Sequence, residues 1–194
     1  MPPLKVIASA FGPALFCLLQ TALPATAASL AERVEVCGGC HGADGNSSTP
    51  MIPSLAAQPE FFILNQLVLI REGVRKIPAM QEIAKGLTDE EIMSLAGHYS
   101  RLPAKPTGES VDTQLVVEGA RLAGQHHCTS CHRPDLMGQE QMPRIAKQRL
   151  DYMTETLQAL RDSKRDGADP LMVESVYGLS DAELKALAHY AASR

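Results

Sequence analysis

The 194-residue chain contains no tryptophan and only four phenylalanines and four tyrosines. Aromatic rings supply much of the buried area in small domains, so a compact unit here has to fill its interior by other means. Sustained alternation of apolar and polar residues is also missing, which removes half-buried strands and leaves an all-α fold. Positive charge is not in excess: 18 Lys and Arg stand against 22 Asp and Glu, a net charge of -4, which argues against a nucleic-acid partner. Spare cysteine is lacking too. Cys17 lies in the N-terminal leader, and the remaining four cysteines all belong to two copies of one motif, so no disulfide framework is available.

Residues 1–28 read as an export signal. Lys5 is their only charge, Val6 to Leu23 is mostly apolar but interrupted by Gly12, Pro13 and Gln20, and Ala25-Thr26-Ala27 offers small residues for cleavage near residues 27–28. The run is short and broken for a membrane span, though an uncleaved anchor is the alternative. Cys17 is not a lipoprotein site, because bulky Phe16 precedes it. The expected location is therefore periplasmic.

The two motifs are Cys37-Gly38-Gly39-Cys40-His41 and, 91 residues later, Cys128-Thr129-Ser130-Cys131-His132. A bare C-x-x-C suits a zinc half-site or a redox dithiol as well. The histidine that follows both pairs turns the reading to c-type haem attachment. Cysteines at i and i+3 share one face of a helical turn and can bond two vinyl groups on one porphyrin edge, with the next residue aimed at the iron. Two covalently bound haem c groups are expected, on Cys37 and Cys40 and on Cys128 and Cys131.

The similarity between the halves extends beyond the cysteines. Pro53-Ser54-Leu55-Ala56-Ala57-Gln58 is echoed by Pro143-Arg144-Ile145-Ala146-Lys147-Gln148, and amphipathic stretches follow at Phe61 to Arg71 and Leu150 to Arg161. Met80 then precedes Leu87-Thr88-Asp89-Glu90-Glu91-Ile92 by the same seven residues that separate Met172 from Leu179-Ser180-Asp181-Ala182-Glu183-Leu184. Thr88 with Glu91, and Ser180 with Glu183, match the capping box, so each half closes with a capped helix. Residues 103–111, marked by proline and glycine, read as a linker, and Asp112 to His127 as the opening helix of the second half. Each half is small enough to need a staple, and the porphyrin is expected to serve as part of its core.

His41 and His132 are the proximal iron ligands on this reading. For the sixth position, Met80 and Met172 form the one methionine pair that keeps its place in both halves, and a methionine opposite histidine suits electron transfer at positive potential. Met51, Met93, Met137, Met142 and Met153 read as core filling. His126 and His127 sit too close to Cys128 to cross the ring, and His98 and His189 are expected at surface or rim positions. The carbonyls of Pro53 and Pro143 are candidates to accept the Nδ1 hydrogen of the ligand histidines and orient the rings. Arg75 and Arg165 either neutralise haem propionates or are solvated.

With these residues in place, the chain resembles the dihaem cytochrome c4 family over essentially all of its length after the leader. The resemblance rests on C-x-x-C-H-G-x-x-G at Cys37 to Gly45, P-x-L-A-x-Q at Pro53, Met80, and the second set at Cys128, Pro143 and Met172. It implies two tandem class I cytochrome c domains, 29–102 and 112–194, His/Met ligation in both, and haem propionates near the shared interface. It implies redox protein partners: a donor dehydrogenase or bc1-type complex, an acceptor oxidase or reductase, and membrane association through those partners. Where the family keeps glycine after the second histidine, this chain has Arg133. A cation there favours reduced iron, so the second haem is expected to have the higher potential.

The leading expectation is thus an electron carrier without substrate chemistry of its own. The alternatives are a dihaem subunit of a dehydrogenase complex, resembling that of flavocytochrome c sulfide dehydrogenase, and a dihaem peroxidase-type enzyme. The last needs one iron able to open a coordination position, whereas both halves retain a methionine.

Overall fold

The computed structural model describes residues 1–3 and 28–194, so the expected export segment lies almost wholly outside the described residues. Helix α1 (Leu30–His41) opens the first half, followed by α2 (Glu60–Arg71), α3 (Pro78–Ala84) and α4 (Asp89–Ser100). The second half runs through α5 (Thr113–Gln125), α6 (Cys128–His132), α7 (Leu150–Arg161), α8 (Pro170–Val176) and α9 (Asp181–Ala192). The described residues form no strand beyond a single bridge between Gln139 and Met142.

Local chemistry explains the boundaries. Thr88 and Ser180 each accept from the backbone N–H three residues on, and Glu91 and Glu183 return the bond to the cap residue, as the sequence predicts. A third capping box, Ser29 with Glu32, starts α1 and had the same S-x-x-E signature. Helices α3 and α8 both carry proline in their first turn, where a missing N–H costs nothing. The halves differ at their openings: α1 runs unbroken into its cysteine motif, whereas His127 adopts φ 54° and separates α5 from α6.

Each half has its own apolar core. Ile63, Ile70, Ala84, Leu87, Ile92, Leu95 and Tyr99 build the first, with Cys37 and Met80 at its margin. Leu122, Leu136, Met153, Leu157, Leu160, Leu184 and Leu187 build the second, with Cys128 and Met172 at its margin. Matching helices pack in matching pairs, α2 on α3 and α4, and α7 on α8 and α9. Arg71 fastens the end of α2 to the start of α4 through Leu87 O and Asp89, and Arg161 repeats this through Leu179 O and Asp181. Of the methionines assigned to core filling, Met153 is buried, but Met51 and Met93 are exposed and fill nothing.

Hydrogen bonds join the two halves. Gln58 Nε2 donates to Arg144 O (2.8 Å) while its Oε1 accepts from Arg144 N (3.0 Å). Gln148 does the same to Ser54, donating to its carbonyl (3.0 Å) and accepting from its N–H (2.7 Å). Ser54 and Arg144 occupy equivalent places in the repeated segment, so the two clasps are related by a pseudo-twofold exchange. The linker is tied in as well: Glu109 accepts from Leu150 N (2.9 Å) and from Arg149, capping α7, whose own N-cap residue offers no side-chain bond.

Candidate functional site: two histidine–cysteine centres

His41 and His132 end α1 and α6, and both are buried. Each Nδ1 lies 2.8 Å from a proline carbonyl, Pro53 O for His41 and Pro143 O for His132. A carbonyl can only accept, so Nδ1 carries the hydrogen and Nε2 keeps its lone pair free. Burial lowers the pKa of both rings and the carbonyl bond only partly offsets this, so each imidazole is held neutral, the form that binds metal.

None of the four motif cysteines is joined in a disulfide. Cys37 and Cys128 are partly buried, and Cys40 and Cys131 are exposed. Burial raises the thiol pKa of Cys37 and Cys128, which is opposite to the tuning of a redox dithiol. Among the described residues no three His, Cys, Asp or Glu side chains gather to hold a metal ion. Buried beside Cys37 is the Tyr99 hydroxyl, which has no hydrogen-bond partner. An orphaned polar group beside an attachment thiol fits a site shaped for a further group, as does a neutral histidine with its second nitrogen unused.

Met80 sits in α3 and Met172 in α8, each third from its start in a Pro-x-Met turn and each partly buried against the core of its own half. That Pro-x-Met repeat is a sequence signal that alignment of the methionines alone does not use. Of the other histidines, His98 is half-buried with its ring edge-on to Tyr99 at 5.0 Å. His189 corrects the expectation of a rim position: it is buried, and its Nδ1 accepts from Asp112 N at 3.0 Å.

The arginines sort differently from the sequence reading. Arg75 is not solvated: it donates to Gln66 and, across the interface, to the Tyr152 hydroxyl at 3.5 Å. Burial works against ionising Tyr152, yet Arg165 and Arg75 more than offset it and bring the phenol to about 8. Arg144, unassigned by sequence, is 1% exposed, with its guanidinium donating to Ala56 O, Ser54 O and Ala146 O and to no carboxylate among the described residues. Burial lowers its pKa to about 10. Arg133 lies half exposed and pairs with Asp135 at 3.5 Å.

Two helical units, each with a carbonyl-tethered histidine closing a C-x-x-C-H turn, define a c-type cytochrome with two haem-bearing domains. Family models agree with this division: "Cytochrome c" matches residues 116–193, and "Cytochrome C oxidase, cbb3-type, subunit III" matches residues 22–98. Cytochrome c4 of Azotobacter vinelandii is 32% identical over 178 residues, covering 81% of this chain and 84% of that protein. The thiosulfate dehydrogenase electron acceptor of Thiomonas intermedia is 32% identical over 208 residues, covering 100% of this chain and 93% of that protein. The crystal structure of reduced recombinant cytochrome c4 from Pseudomonas stutzeri superposes with a TM-score of 0.77 at 28% identity, covering 84% of this chain and 96% of that one. The chain belongs to the cytochrome c4 family: an electron-transfer protein with two covalently bound haem c groups, and not itself an enzyme.

Proposed function

We propose that this protein is a periplasmic carrier that takes electrons from a dehydrogenase and passes them to a terminal acceptor, using domains 29–102 and 112–194 joined by the linker 103–111. Cys37, Cys40, Cys128 and Cys131 hold the two haems, and His41 with Met80 and His132 with Met172 are the axial ligands. The haem c groups supply one-electron redox chemistry when attached. Pro53 and Pro143 keep each histidine turned with Nε2 outward and make it a stronger donor by accepting the Nδ1 hydrogen. A filled His/Met set in both domains supports electron transfer without bond-making at iron, and so weighs against a peroxidase.

The observation that carries this reading is the duplication of one arrangement, a tethered histidine and a Pro-x-Met helix at matching places in both halves. Met80→Ala and Met172→Ala test it. Each is expected to remove about half of the methionine-to-iron charge-transfer absorption at the red end of the ferric spectrum, because each touches one of two equivalent centres. A band of full intensity in either variant overturns that ligand assignment.

The match to the Thiomonas protein along the whole chain favours a second, narrower reading, a dedicated acceptor for a dehydrogenase of reduced sulfur compounds. Mixing the ferric protein with a thiosulfate dehydrogenase and thiosulfate distinguishes the two. Fast reduction with co-elution indicates a bound subunit, and fast reduction without it a diffusing carrier. Membrane association would come through partners: among the described residues no helix is long and apolar enough to cross a membrane.

A further inference from the structure

The two domains exchange side-chain size at one place beside the haem attachment. Gly45 O accepts from Leu55 N and Ala56 N, and Leu136 O accepts from Ile145 N and Ala146 N, which makes positions 45 and 136 equivalent. In the same way Tyr99 O accepts from Ala57 N, and Ala191 O from Lys147 N. The first domain therefore pairs glycine with tyrosine, and the second pairs leucine with alanine.

The exchange is sterically compensated. Gly45 has φ +74°, and a Cβ there would stand 2.9 Å from Tyr99 Cδ1 and 3.0 Å from Ala56 N, so the aromatic ring occupies the space a side chain would need. Leu136 keeps the left-handed backbone, φ 56°, and is 1% exposed, filling from the loop what the small Ala191 leaves open. Filling space would be done as well by phenylalanine at position 99. What the second domain has no counterpart for is the hydroxyl.

That hydroxyl is costly. Tyr99 is 2% exposed and its Oη has no partner, an unfavourable state for a buried polar group. It lies beside Cys37, which packs against the same core cluster as the Tyr99 ring. We propose that the Tyr99 hydroxyl is a positioning group for the first haem, donating to the Cys37 sulfur once that sulfur is a thioether and raising that haem's reduction potential. An O–H dipole with its positive end toward the haem edge favours the added electron, and hydrogen bonding around the haem is an established lever on potential. The Leu136/Ala191 pair leaves the second haem without this contact.

The test uses the intact dihaem protein, with attachment of both haems checked by mass spectrometry so that loss of haem at Cys37 is read separately from tuning. In Tyr99→Phe the ring stays and only the hydroxyl goes. The reduction equilibrium constant of the first haem is expected to fall about three- to tenfold, the range of one hydrogen bond. The second haem stays unchanged, and both charge-transfer bands are kept. The transplant Leu136→Gly/Ala191→Tyr is expected to raise the second haem's constant by a similar factor over its Leu136→Gly/Ala191→Phe control. A first-haem potential that stays put or rises in Tyr99→Phe overturns the proposal, as does a tyrosine transplant that behaves like its phenylalanine control.

Discussion

Gln58 grips the backbone of Arg144 at both ends, its Nε2 2.8 Å from Arg144 O and its Oε1 3.0 Å from Arg144 N. Arg144 directly follows Pro143, whose carbonyl tethers His132, so the side chain of one domain secures the strut of the other domain's histidine. Gln148 reciprocates at Ser54, beside the strut of His41.

Gln58→Ala strands a buried N–H and a buried carbonyl, since Arg144 is enclosed and water cannot replace the amide. A loss of about 2 kcal/mol is expected, read by denaturant unfolding of the holoprotein. Because the two clasps brace one interface, Gln58→Ala/Gln148→Ala should cost less than the sum of the singles. Strict additivity would show that the domains do not share this interface in solution.

Replacing the residue after each motif histidine should have opposite effects. Gly42 has φ +84°, and a Cβ there would stand 2.3 Å from Asn46 O, so Gly42→Ala is expected to destabilise the first domain. Arg133 holds φ 70° with a full side chain, and its exposed pairing with Asp135 recovers little. Arg133→Gly should therefore stabilise the second domain by about 1 kcal/mol. Thermal unfolding checks both, and a lower melting temperature for Arg133→Gly would contradict the assignment of strain.

Acid should loosen the start of α5 through His189. Its Nδ1 must be unprotonated to accept from Asp112 N, and burial first, then Lys185, lower its pKa, against a smaller opposing pull from Asp112. A histidine with a depressed folded pKa binds more protons unfolded. Its share of stability is thus full above the unfolded value, about 6.5, and is lost as pH falls below that toward the folded value. His189→Gln should flatten the pH dependence of stability below about 6.5 relative to the wild type. An identical slope in both proteins would place the acid sensitivity elsewhere.

Much of the architecture was legible because it is written in local chemistry. The capping boxes at Thr88 and Ser180 act within one helical turn, and the C-x-x-C-H motifs act within five residues, so their meaning survives without knowledge of the fold. The histidine–proline tethers were foreseen because a matching proline-led segment follows each motif, 12 residues after His41 and 11 after His132. The exposure of Met51 and Met93, the burial of His189 and the pairing of Arg133 with Asp135 were not, since each depends on which residues distant in sequence arrive beside them.

By itself, the sequence determined two helical haem-binding units, because covalent attachment and helix capping are short-range and were present in duplicate. Only the tertiary structure decided how the units are made unequal and joined. Arg144 among carbonyls of both domains, the crossed clasps of Gln58 and Gln148, and the exchange of Gly45/Tyr99 for Leu136/Ala191 all arise where segments far apart in the chain meet. There, burial and hydrogen-bond satisfaction depend on three-dimensional neighbours that no spacing along the chain encodes.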